Sequence, residues 1–368
     1  MSPLLKEIRH NPLLWLLAFV PALFVAQQIA PESHTLLFVL SVLAIVPLTT
    51  LLSLATESVA AKTGDAVGGL LNATLGNMAE LVIALAALRA GQYTLVKASI
   101  AGPIVTNTLF ILGVSFMLGG FKHHVQEFNR VSARMQAGLL FLATVALLIP
   151  SAISHADSAG VTSAVAVAFS QKLSVGLGLL LIISYALGML YSLKTHRELF
   201  GSVSHGGGDG SWPMGLALGT LLGVTVLVAL VSEVFVESVQ QAAETFGMTP
   251  AFVGFIIVSL VGGASAMPTA FKGARKDRLD LSVGIALGSS SQIALFVAPV
   301  LVLVSYFVGP TPMDLQFWPG AVVMMLISTL TAALVTNSGR SAWFIGVLLL
   351  LVYLVFAMTL YLLPPRAQ

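Results

Sequence analysis

Leu75-Gly76-Asn77-Met78-Ala79-Glu80-Leu81 places a glutamate, an amide and a glycine inside an apolar segment. Its counterpart 186 positions later, Val261-Gly262-Gly263-Ala264-Ser265-Ala266-Met267, carries alanine at the position matching Glu80. A charged side chain at the centre of a bilayer costs about 2.5–3.5 kcal/mol on insertion scales, so a carboxylate there marks a functional position or a packing bond.

The chain around this strip belongs in lipid. It is 57% hydrophobic and 9% charged over 368 residues, with mean hydropathy +0.97, whereas soluble domains carry about 25% charged residues. The absence of cysteine excludes a disulfide framework, an iron–sulfur cluster and thiolate zinc sites. A net charge of +2 with no basic run gives no sign of a nucleic-acid partner.

Apolar stretches of roughly 17–25 residues span a bilayer as helices. Eleven are read, near 12–30, 35–55, 67–90, 95–119, 135–154, 173–192, 213–237, 250–270, 283–307, 317–336 and 341–363. Lys6 and Arg9 precede the first, but no small-residue cleavage site and soluble domain follow, so it is read as a retained span. With the N-terminus cytoplasmic, thirteen basic residues fall inside: Lys6, Arg9, Lys62, Lys122, Arg130, Arg134, Lys194, Arg197, Lys272, Arg275, Lys276, Arg278 and Arg340. Arg89, Lys97, Lys172 and Arg366 fall on the other side with the C-terminus, a bias that fixes orientation and fits an odd span count. Compact loops favour a bacterial inner membrane.

Without a gap, Gly76 meets Gly262, Arg89 meets Arg275 and Gly102 meets Gly288. An offset of five spans turns the second copy upside down, and inverted repeats that share a midplane site describe secondary transporters. The expected layout is all-α: an N-terminal helix within 1–34, a first repeat at 35–200, a flexible connector at 201–212 and a second repeat at 213–368. His205 and Asp209 in the glycine-rich connector are too few to make a metal site.

On a continuous helix, Asn72, Gly76 and Glu80 form a stripe with Asn77 beside it, and Gly76 admits another backbone. Carboxylate, amide and carbonyl oxygens suit a hard cation such as calcium; a protonated Glu80 bonding between helices is the structural alternative. Glu57 and Glu233, each in the helix before its strip, are read as proton relays or vestibule acids, or as groups exposed at span ends. Ser289, Ser290, Ser291 and Gln292 would face the first strip if the halves interlock, as would Thr106 and Asn107. Small hydroxyls also serve helix packing. Pro103 and Pro268 would each unwind a turn or kink a helix. The loop acids Asp157, Asp277 and Asp280 read as solvated surface, and Arg89 as an interface anchor.

These residues resemble the cation/proton exchanger family within the calcium/cation antiporter superfamily. Gly76-Asn77-Met78-Ala79-Glu80-Leu81 is similar to its G-N-x-x-E-L signature. Gly288-Ser289-Ser290-Ser291-Gln292-Ile293-Ala294-Leu295-Phe296-Val297-Ala298-Pro299 is similar to G-S-S-x-Q-I-A-L-F-V-A-P. Lys97-Ala98-Ser99 with Asn107, Thr56-Glu57 and Ser232-Glu233 fit as well. The resemblance implies exchange of cytosolic calcium for protons, no cofactor, and a shared site for both ions built from two repeat glutamates, nearby carbonyls and polar side chains. It permits a homo-oligomer such as a trimer. Glu80 matches the first glutamate. The second signature, G-N-A-A-E-H in the family, is here Gly262-Gly263-Ala264-Ser265-Ala266-Met267, and Pro103 replaces a usual serine. The expected site is therefore Glu80, Asn77, Gly76, Asn107, Gly262, Gly263, Ala266, Ser289, Ser290 and Gln292, with Glu80 as the metal ligand. With one carboxylate, either Glu57 or Glu233 substitutes, or the cation (sodium, potassium or manganese) or stoichiometry differs, or transport is impaired or trapped. A regulator or channel-like homologue is the remaining alternative.

Overall fold

The computed structural model describes residues 3–63, 65–156, 163–196 and 212–362. Asp157, His205 and Asp209 lie outside them, and of the expected connector only Trp212 is described. The described chain is mainly helical, with one short antiparallel ladder and the turns and loops that join the helices. Ten of its helices are long and apolar enough to cross a membrane: α1 (Pro12–Ile29), α2 (His34–Ala60), α5 (Tyr93–His123), α6 (Arg130–Ile153), α7 (Val167–Thr195), α8 (Met214–Thr245), α9 (Pro250–Arg275), α10 (Leu279–Val308), α11 (Pro319–Thr336) and α12 (Trp343–Leu362). A short amphipathic helix, Pro3–His10, precedes them.

The expected third span is not one helix. It is two half-helices, α3 (Asp65–Leu75) and α4 (Met78–Arg89), separated at Gly76 and Asn77. Asn77 has φ −111° and ψ 29°, off the helical region. Glycine and asparagine are weak helix formers, one through backbone freedom and the other because its amide competes for backbone groups. The continuous stripe Asn72–Gly76–Glu80 is thereby corrected: Asn72 belongs to α3 and Glu80 to α4. The matching region of α9 also changes winding, through a 3₁₀ turn at Gly263–Ser265 before the helix resumes at Ala266.

The proline expectation shifts as well. Helix α5 passes through Pro103 and widens into a π turn only at Thr106–Ile111. A second π turn, Ile293–Val297, occupies the matching stretch of α10. Pro268 lies in the first turn after the 3₁₀ break, where its missing N–H costs nothing.

Polar loop contacts sort into two ends of the bundle. At one end, β1 (Val125–Glu127) pairs antiparallel with β2 (Arg340–Ala342). There Lys122 Nζ donates to Arg275 O (3.0 Å), Gln126 Nε2 donates to Ala274 O (2.9 Å), and Trp212 N donates to Ser58 Oγ (3.4 Å). At the other, Arg89 meets Glu233, and the extended segment 309–318 is tied to Tyr93, Lys97, Ser151, Ser170 and Ser174.

Two loop acids are not merely solvated. Asp277 accepts from Gln126 Nε2 at 2.8 Å with φ +57°, and Asp280 accepts the Asn129 backbone N–H at the start of α6.

Candidate functional site

The two breaks meet inside the bundle. Glu80, in the first turn of α4, is 8% exposed. That turn presents free backbone N–H groups and the positive end of the helix dipole, which favours a negative side chain there. The Glu80 side chain lies against Gly262: a β-carbon built on Gly262 would stand 3.0 Å from Glu80 Cγ and 3.1 Å from Oε1. Glycine at 262 is therefore what gives the carboxylate its space, and the first strip is seated directly on the backbone of the second.

Asn77, 5% exposed, donates its Nδ2 to Gln292 Oε1 of α10 at 2.6 Å. That leaves the Asn77 Oδ1 as an available acceptor. Gln292 Oε1 also lies 3.7 Å from a β-carbon built on Gly76. Gly76 itself is exposed, so the break opens on one flank while Asn77 and Glu80 turn inward. Asn107, buried in the α5 π turn, brings its Oδ1 to 3.9 Å from a β-carbon built on Gly263. Ser290 Oγ donates to Ala286 O (2.9 Å) and touches Ile104 O at 3.5 Å. Ser289 is half-buried, and so is Ala266, at the start of the resumed α9 helix.

The structure thus gathers Gly76, Asn77, Glu80, Asn107, Gly262, Gly263 and Gln292. It does not bring Glu57 or Glu233 to them. Both are exposed: Glu57 accepts from Ser53 Oγ at 3.3 Å near the C-terminal end of α2, and Glu233 pairs with Arg89 Nη1 at 3.0 Å at the opposite end of the bundle. The residues just before them turn inward, since neighbours on a helix point about 100° apart. Thr56 and Ser232 are 1% and 0% exposed, and their hydroxyls have no hydrogen-bond partner. In the sequence the Thr56-Glu57 and Ser232-Glu233 pairs mark these hydroxyls, and the rotation of α2 and α8 decides which member of each pair faces inward.

Chemically, the site offers one carboxylate, two side-chain amide oxygens and the backbone groups freed at two helix breaks. No group of three or more His, Cys, Asp or Glu able to hold a metal occurs among the described residues. A cation here would rely on neutral oxygens around a single charge.

Residues 33–194 and 216–362 match the family described as sodium/calcium exchanger protein. The chain is 38% identical over 366 residues to the Ca(2+)/H(+) antiporter of Synechocystis sp., covering 95% of this chain and 96% of that one. It is 38% identical to the Ca(2+)/H(+) antiporter ChaA of Bacillus subtilis over 332 residues, 89% of this chain and 92% of that one. The solved structure of native YfkE superposes with a TM-score of 0.80 at 35% identity, covering 95% of this chain and 100% of that one.

Proposed function

The chain belongs to the sodium/calcium exchanger family, and on that premise we propose that it exchanges calcium for protons across a membrane as a secondary antiporter. Two relatives, matched over 95% and 89% of the chain, carry the name Ca(2+)/H(+) antiporter. The observation that carries the reading is the Glu80 carboxylate, buried at a helix break and seated on Gly262 of the second break.

Calcium is bound by oxygen ligands in flexible numbers, and Glu80, the Asn77 and Asn107 carbonyl oxygens and the break carbonyls are of that kind. Protonating Glu80 removes its charge and weakens its hold on a cation, so one group carries two cargoes in turn. We assign eleven crossings: α1, then five in residues 35–200 with α3 and α4 as one broken crossing, then five inverted in 213–368. The paired π turns, the paired breaks and the two ends of loop contacts support this layout. The basic-residue bias supports a cytoplasmic N-terminus in an inner membrane.

Ala266 sets the stoichiometry. Glu80 with calcium carries one net positive charge, and protonated Glu80 carries none. One calcium therefore exchanges for one proton, and each cycle moves a net positive charge with the calcium. A second reading, favoured by the same alanine, is exchange of sodium, potassium or manganese at a site of lower charge; competition of each ion against labelled calcium separates the two.

The deciding test is calcium uptake into proteoliposomes under an imposed pH gradient. The native chain takes up calcium and Glu80→Gln does not. Equal flux from both sinks the proposal.

A further inference from the structure

The seam between α6 and α10 runs from the β1–β2 end toward the site just described, and polar groups line it. Near the β1–β2 end it contains a narrow recess with room for about one water molecule, lined by Asn129, Ser132 and Gln136 of the α6 side and by Asp280 and Gly284 of α10. Gln136 lies furthest along α6 from the β1–β2 end among the α6 residues of that lining. Its Nε2 donates to Ser132 Oγ at 3.3 Å, while its Oε1 is buried without a hydrogen-bond partner. A buried amide oxygen left unpaired costs about 1–3 kcal/mol, which a water molecule in the recess would relieve.

The seam then leads toward Glu80. Gln136 Oε1 lies 3.8 Å from a β-carbon built on Gly288, so the glycine leaves room for the amide beside α10. Gly284, Gly288 and Gln292 follow at intervals of four along that helix, about 6 Å per step. Ser291 Oγ donates to the Gln136 carbonyl at 3.4 Å, and Gln292 Oε1 accepts from Asn77, three residues before Glu80. Asp280 is already engaged by the Asn129 N–H; its role is as a polar wall at the mouth.

We infer that this seam is a hydrated side passage that carries protons between the β1–β2 end of the molecule and the Asn77–Glu80 site, with Gln136 as the positioning residue at its neck. The inference rests on the antiporter reading for its cargo. It separates the proton's route from the flank where Gly76 is open. A proton crosses a file of single waters by forming a new O–H bond on each water as that water releases another of its protons to the next, while the Gln136 amide only holds a water by hydrogen bonding; a hydrated calcium ion does not fit a one-water neck.

The cysteine-free chain makes the test direct. Single Ser132→Cys and Gln136→Cys variants, in membranes open at the β1–β2 end, are treated with a small, membrane-impermeant methanethiosulfonate reagent. Both are expected to react at least tenfold faster than Ala143→Cys, whose site is 0% exposed in the core. Labelling no faster than that control overturns the passage, and it does so whether or not the chain transports calcium. The cargo is tested by Gln136→Leu in the exchange assay: turnover falls at least fivefold while the calcium KM stays within twofold. Unchanged turnover overturns the proton route, and so does a KM that rises in step with the lost turnover. Gln136→Asn, which keeps the amide, restores part of the rate.

Discussion

Glu80 presses its side chain onto the bare α-carbon of Gly262, with 3.0 Å between Glu80 Cγ and any β-carbon placed there. Gly262→Ala therefore leaves the backbone unstrained, at φ −60°, but crowds the carboxylate. Overpacking of this kind costs about 1–3 kcal/mol, which corresponds to about 5- to 150-fold weaker calcium binding if the site bears it. Titration of calcium binding by the purified variant checks this, with an unfolding midpoint close to the parent's as the sign that the fold survives.

Ala266→Glu supplies a second carboxylate. If the parent exchanges one calcium for one proton, as proposed, it moves one net charge per cycle and works against an inside-negative potential when it expels calcium. At 100 mV that opposition is about 2.3 kcal/mol per charge, or about 50-fold in the calcium gradient reached at balance. Two carboxylates exchanging two protons for one calcium move no net charge. Clamping vesicles with potassium and valinomycin is expected to show voltage dependence in the parent and its loss in Ala266→Glu.

The Asn77–Gln292 bond joins the two halves across 215 residues of sequence at 2.6 Å. Asn77→Leu and Gln292→Leu each strand the other amide in a buried setting, at about 1–3 kcal/mol. Because the partners share one interaction, the double variant should destabilise less than the sum of the two singles. Thermal unfolding in detergent measures the cycle; strict additivity would mean the bond contributes nothing.

Segment 309–318 predicts a ranking between two ion pairs. Lys97–Asp314 is shielded, with side chains 18% and 26% exposed, while Arg89–Glu233 is 72% and 48% exposed. The segment is also held by Tyr93, whose hydroxyl accepts from Thr311 N at 2.8 Å and donates to Thr311 O at 2.6 Å. Lys97→Met is expected to lower the unfolding midpoint clearly. Arg89→Met, at a surface pair worth about 0–1 kcal/mol, should scarcely move it, and added salt should narrow the gap little.

The sequence revealed the membrane class because hydropathy is a bulk property, and it showed Glu80 because a lone intramembrane acid is conspicuous. The paired strips were legible because 186 is a constant offset. Where α3 ends was not legible: apolar periodicity runs across Gly76 and Asn77 without interruption, and only the packed partner reveals the break. The exposure of Glu57 and Glu233 depends on how α2 and α8 are rotated, and a helix that is apolar nearly all round gives little sign of its inward side. Gln136 was missed for a similar reason, since its meaning comes from Gly288 on a distant helix.

Ser290 Oγ touches Ile104 O, and these residues are separated by 186 positions, the offset of the two repeats. Under that pairing each is the other's image. If the halves are inverted repeats, points related by their twofold operation can meet only on its axis, and this contact lies there. If the two halves trade conformations during transport, surfaces far from the axis must open and close, while α5 and α10 keep their grip at 104 and 290. On the antiporter reading, the molecule then has a still centre beside the candidate site.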